Sequence, residues 1–182
     1  MSRISRLISS YGKFIAVPWR NAAPAQRVVF CVYNEQDELK LRAKLDEFEL
    51  VTREAEHDWA IFDLTNTFAD WFTSERYAKS YFKTPQLAHT VMPKYMTYLY
   101  KQFETTMQPH RLSENAVVAL MGVGSLFGFL KVRDLVEQLA PLVKGKLLVL
   151  FPGSYEGNNY RLLDGYDGWN YLAIPITADK DS

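Results

Sequence analysis

Continuous apolar runs alternate along this chain with apolar stripes spaced three and four residues apart, and the alternation predicts a layered α/β fold. Residues 27–33 (Arg-Val-Val-Phe-Cys-Val-Tyr), 116–121 (Ala-Val-Val-Ala-Leu-Met) and 147–151 (Leu-Leu-Val-Leu-Phe) have no polar position inside their ends, as strands buried on both faces require. Residues 59–64 (Trp-Ala-Ile-Phe-Asp-Leu) read as a further strand. Residues 171–176 make a fifth, placed at a sheet edge by Pro175, which cannot donate to a ladder. Between the runs the period changes. Ile4, Leu7, Ile8, Tyr11 and Ile15 mark a helix over residues 2–15, and residues 18–24 form a turn-rich connection. Leu41, Leu45 and Phe48 mark one helix after Asn34, which serves as its N-cap. Thr65 or Asn66 caps the next, whose apolar face is Phe68, Trp71 and Phe72.

Val91, Tyr95, Leu99 and Phe103 keep register through a long helix over about 86–107. Pro93 either kinks it or marks the first turn of a helix starting near Met92, because proline lacks the donor a helix interior needs. Val132, Leu135, Val136, Leu139 and Leu142 give a clear helical period, stopped by Gly145. The resulting expectation is a single α/β domain over residues 1–182. It comprises an amphipathic helix and connection in residues 1–25, a mostly parallel sheet of about five strands with helices on both faces, and a polar tail from 177 to 182.

A hydrophobic content of 48% is enough for such a core and argues against disorder. Net charge is zero but uneven: residues 1–34 carry Arg3, Arg6, Lys13, Arg20 and Arg27 without an acid, and the excess of acids lies beyond them. A basic arm contacting DNA is one reading. Five charges spread over that length are dilute, so an amphipathic first helix with its charges in water is preferred. Cys31, the lone cysteine, falls inside a strand run and reads as a small core residue in a reducing cytoplasm. No secretory signal is apparent, and the longest apolar run, residues 116–130, is shorter than the roughly 20 residues of a membrane span. The expected localisation is cytoplasmic.

Two glycine-punctuated turns follow strands, where parallel α/β sheets place their binding loops. Gly122-Val-Gly-Ser125 lacks the Gly-Lys-Ser/Thr of a phosphate loop, and Gly122, Gly124 and Gly128 miss the dinucleotide spacing by one residue. A degenerate nucleotide-binding domain, holding phosphate on backbone amides, is the alternative reading of that turn. After Pro152, residues 153–170 interleave aromatics with Gly, Asn and Asp, which resembles a recognition surface. His57, His89 and His110 show no metal spacing, and Ser125 and Ser154 sit in no nucleophile elbow. Asp63 stands at a strand end, where a catalytic acid or a helix cap both fit, and Glu35, Asp37 and Glu38 read as a solvated first turn. No catalytic set, cofactor site or metal site is predicted.

Gly122-Val-Gly-Ser-Leu-Phe-Gly-Phe-Leu-Lys131, Phe151-Pro-Gly-Ser-Tyr-Glu-Gly157 and Asn170-Tyr171 together resemble the BrxB family of bacterial BREX (bacteriophage exclusion) systems. The family pattern runs approximately G-V-G-[AS]-L-[YF]-P-F-L-R, then [FY]-P-G-x-Y-x-G, then N-Y-Y. The opening Met-Ser-Arg and the strand from Val28 to Tyr33 also fit. The chain departs at Gly128, where the family tends to proline, at Lys131, where it has arginine, and at Leu172 and Ala173, where it is more polar. A role for that arginine does not carry over.

The resemblance implies a non-catalytic subunit of phage defence that works beside a large ATPase (BrxC), the alkaline-phosphatase-like PglZ and a DNA methyltransferase. On that reading residues 122–129 and 153–170 share one sheet edge and dock a larger subunit, PglZ first. The candidate contact residues are Phe127, Phe129, Tyr155, Glu156, Tyr160, Tyr166 and Trp169, with Tyr155, Tyr160, Tyr166 and Trp169 as anchors.

Overall fold

A computed structural model describes residues 1–19, 24–75, 78–84, 86, 88–165 and 168–178. Five parallel strands form the sheet: β1 (Val28–Tyr33), β2 (Asp58–Asp63), β3 (Ala116–Met121), β4 (Lys146–Glu156) and β7 (Ile174–Thr177). Their order is β2-β3-β4-β1-β7, so β7, with Pro175, is an edge strand paired only to β1. β4 outruns the parallel sheet and pairs antiparallel with β5 (Asn159–Leu162), which pairs with β6 (Trp169–Asn170). The expected α/β architecture, with about five mostly parallel strands, is what the chain adopts.

Seven helices are described: α1 (Arg3–Ala16), α2 (Glu38–Ala43), α3 (Leu45–Glu54), α4 (Thr67–Ser74), α5 (Ala78–Lys83), α6 (Ala88–Met107) and α7 (Val132–Leu139). Side-chain alternation along the strands sorts the core into two layers. Val29, Cys31 and Tyr33 of β1 face α1 and α3, meeting Leu7, Tyr11 and Phe48. Val28, Phe30 and Val32 face the other way, toward α4, α6 and α7, meeting Trp71, Tyr95, Leu99 and Leu135. Every residue of β1 and of β3 is buried, which is why both strands lack polar interruptions. Full burial of each such Val, Leu or Phe contributes roughly 1.5–3 kcal/mol.

Three expectations are corrected, and the alternative left open at Pro93 is decided. The helix after β1 is two helices, broken at Lys44 (φ −111°, ψ 14°). Asn34 caps a short 3-10 turn, its Oδ1 accepting from the Gln36 amide at 2.9 Å, and α2 follows that turn. Pro93 lies inside α6 rather than at its start, and the Thr97 hydroxyl takes up the Pro93 carbonyl at 3.0 Å. Residues 153–170 contain a regular hairpin, not an irregular loop. Gly157 (φ 55°) and Asn158 (φ 65°) form its two-residue turn, the paired positive φ values that suit strand twist. Gly153 permits the pairing, because a Cβ there would lie 2.0 Å from the Arg161 carbonyl oxygen.

Candidate functional site

The carboxyl ends of β1, β2 and β3 converge on a rim where the Gly122 turn meets the chain at Pro152 and Leu163. At the end of β3 the chain reverses through Gly122, whose φ of 73° is left-handed. A Cβ at that position would stand 2.4 Å from Thr65 Oγ1 and 2.6 Å from the Thr65 nitrogen, so only glycine fits. The chain then makes a 3-10 turn, Val123–Leu126. Ser125 Oγ lies 2.7 Å from the Gly122 carbonyl and 3.0 Å from that of Leu64, tying the turn to the loop after β2. The Leu64 amide donates to the Met121 carbonyl at 2.8 Å.

Beside the turn runs a polar chain. Tyr33 donates to Glu38; Arg42 Nε donates to Glu38 at 2.9 Å and Arg42 Nη2 to Thr65 Oγ1 at 2.8 Å; Thr65 donates to Asp63 Oδ1 at 2.5 Å. Burial, reinforced by the Glu38 carboxylate, raises the Tyr33 pKa far above its usual range. Asp63 therefore shapes the rim and holds the loop, and the Glu38 carboxylate is committed to Tyr33 and Arg42. Asp37 also departs from the expected solvated turn. Its side chain is only 4% exposed, with Arg3 at 3.1 Å and Lys40 at 2.9 Å. The Lys40 hydrogen bond, followed by the Arg3 and Lys40 charges, holds its carboxyl below the usual carboxylate range against the opposing effect of burial.

Residues 122–129 and 153–165 share this rim. Gly124 sits against Pro152 and Leu163, Gly165 against the Phe127 ring, and the Leu163 amide donates to the Pro152 carbonyl at 2.9 Å. Phe127 and Phe129 project outward, 48% and 38% exposed. Phe129 stacks on Phe68 at 4.2 Å. Trp169 is half-buried, packed on Phe30 and Tyr160, and lines with Phe127, Leu130 and Leu162 a cavity of about 590 Å3. Tyr155 is half-buried beside Tyr160, its hydroxyl donating to Asn158 Oδ1 at 3.2 Å, and Glu156 is exposed.

Tyr160 is different. It is fully buried among Phe30, Phe151 and Trp169, and its hydroxyl donates to the Ala173 carbonyl at 2.9 Å. It belongs to the core, because β5 alternates exposed and buried positions and Tyr160 falls on the inner face. Tyr166 lies outside the described residues.

The Gly122 turn does not lead straight into a helix. The Ser125 and Phe127 amides are taken up by the Gly122 and Gly124 carbonyls, and α7 begins only at Val132. These two amides are thus not directed at an anion, as the alternative phosphate-binding reading requires. Elsewhere Cys31 is buried, Arg3 pairs with Asp37, and Arg27 Nη1 donates to the Lys144 carbonyl at 2.8 Å. Part of the N-terminal positive charge is therefore engaged inside the fold. Among the described residues no group of three His, Cys, Asp or Glu is placed to hold a metal ion, and no helix is long and apolar enough to cross a membrane.

Against this geometry the family comparison is decisive. The family model described as BREX protein BrxB matches residues 59–175, from β2 to β7 and through both glycine turns. The chain belongs to the BrxB family. No curated protein and no solved structure gives a significant match. Membership in the BrxB family makes this chain a component of a BREX phage-defence system. The matched span contains Gly122, Phe127, Pro152 and Trp169 of the carboxyl rim, while Glu38 and Arg42 precede it.

Proposed function

We propose that this BrxB-family chain is a non-catalytic interaction subunit whose carboxyl rim docks a larger BREX protein. The PglZ-type phosphatase-fold subunit is the first partner, the BrxC-type ATPase the second, and the methyltransferase a further member of the same assembly. One observation carries the reading: two loops distant in sequence meet at one rim and leave Phe127 and Phe129 in water beside the half-buried Trp169. Exposed rings on a braced scaffold are what interface anchors require, since little ordering is left to be done on binding. The polar groups of the rim support a non-catalytic role, because Asp63, Glu38 and Ser125 are each held by neighbours within the fold.

The test is co-purification of the intact chain with each BREX subunit, followed by affinity measurement for Phe127→Ala. Truncating a central aromatic anchor typically costs about 2 kcal/mol, or roughly 30-fold in affinity. Retention of full affinity by a folded Phe127→Ala, Phe129→Ala double variant refutes the assignment of the rim.

A further inference from the structure

The antiparallel ribbon β4-β5-β6 ends on an unpaired edge. β6 pairs with β5 through Tyr160↔Trp169 and Asn159↔Asn170, and no described strand takes its other side. Such an edge presents main-chain donors and acceptors ready for another strand. Two cavities flank this segment. The first, described above, is bounded by Phe127, Leu130 and Trp169. The second, about 560 Å3, lies between α7 with its following turn and residues 170–172, bounded by Ala140, Pro141, Tyr171 and Leu172. Gly168 and Trp169 wall the first and Asn170 and Tyr171 the second, while Val132 of α7 lines the first and Arg133 and Glu137 the second, so the two recesses follow one another along a groove between α7 and residues 168–172. At its far end Leu172 is 79% exposed.

We propose that this groove takes up an extended segment of the partner protein, added as a strand to β6, with apolar side chains at alternate positions. The inference rests on the reading that the chain docks another BREX protein, and it names the form of the docked segment. Three features select that occupant. An extended segment satisfies the open β6 edge, whereas a helix satisfies only its own backbone and leaves that edge unpaired. Same-side residues of a strand recur roughly every 7 Å, so successive apolar side chains can enter the two apolar recesses in turn. The charge on the walls is balanced. Lys131 and Asp164 line the first recess, and Arg133 and Glu137, paired at 2.9 Å, line the second. A groove without net charge complements an uncharged apolar strand and gives no purchase to a polyanion such as DNA.

The experiment uses the intact chain and short overlapping peptides covering the PglZ-type, BrxC-type and methyltransferase subunits, with fluorescence anisotropy on those that bind. The expected result is a peptide with alternating apolar residues. N-methylation of its backbone at alternate positions weakens binding about tenfold or more in one register and little in the other. Leu172→Asp, at an exposed position, weakens it similarly. Binding by no peptide, indifference to N-methylation in both registers, or an apolar spacing of three and four residues overturns strand addition. N-methylation leaves the chain unaltered, so that arm stands whatever Leu172→Asp does to folding. If an intact subunit still co-purifies through Phe127 while no peptide binds, rim docking stands and this inference falls.

Discussion

The two ends of the parallel sheet are built differently. At the amino end, His57 is clamped. Its Nδ1 faces Asn115 Oδ1 at 2.6 Å, its Nε2 faces the Ile15 carbonyl at 3.2 Å, and its ring stacks on Trp19 at 3.9 Å. Asn115 Nδ2 donates in turn to the Glu56 carbonyl at 2.6 Å, which orients the amide. Lys146 Nζ lies 5.0 Å from the Trp19 ring and 5.2 Å from that of Phe14, and burial lowers its pKa. Aromatic rings here are used up against the chain itself. At the carboxyl end the loops are equally well braced, through Arg42, Asp63, Thr65 and Ser125, yet Phe127 and Phe129 stay in water. A seam that only closes the fold buries its rings. A braced rim that leaves them exposed is prepared for a partner.

The comparison is most severely strained at Gly122. Gly122→Ala forces a left-handed alanine and drives a methyl group into Thr65, so stability falls by about 3 kcal/mol and partner binding is lost with the rim. Denaturant unfolding and co-purification measure both. Next come the two ends as a matched pair. Phe127→Ala leaves the unfolding midpoint nearly unchanged and weakens partner binding by about 2 kcal/mol. His57→Ala does the reverse, lowering stability by about 2 kcal/mol through its lost hydrogen bonds and stack while leaving affinity intact.

A smaller effect is expected at Asp37, beside the rim. Its folded pKa is depressed, so its contribution to stability is present above the unfolded value near 3.9 and is lost as pH falls through the folded pKa. Asp37→Asn should cost about 1–2 kcal/mol near neutrality, with the difference from the parent vanishing in acid. Melting curves at stepped pH check this. The smallest expected signal is from calorimetry with ATP, GTP and NAD: no heat at millimolar ligand, in keeping with the internally bonded amides of the Gly122 turn.

How much of this was legible in the sequence follows from how far each interaction reaches. Strands buried on both faces announce themselves as unbroken apolar runs, and α7 and α1 as stripes, because local period maps directly onto burial. The shared rim was legible too, since parallel topology puts the turns after β3 and β4 at the same sheet end. The hairpin was missed because Pro152-Gly153 looks like a strand stop. In the fold β4 passes through both, Gly153 making room for the Arg161 carbonyl. The signals were present, in the Gly157-Asn158 turn and in the alternation Asn159-Tyr160-Arg161-Leu162, which puts Tyr160 inside. Asp37 was misread for another reason. It pairs with Arg3, a residue far away in sequence, and no local pattern carries that.

Hydrogen–deuterium exchange on the intact chain, alone and in complex with the co-expressed PglZ-type subunit, addresses the difference between the two ends most directly. The expected result is new protection over residues 127–130 and 168–172, with His57 and Asn115 at the amino end unchanged. Protection centred on the amino end, or a stable complex that leaves residues 127–130 exchanging as freely as before, contradicts the account.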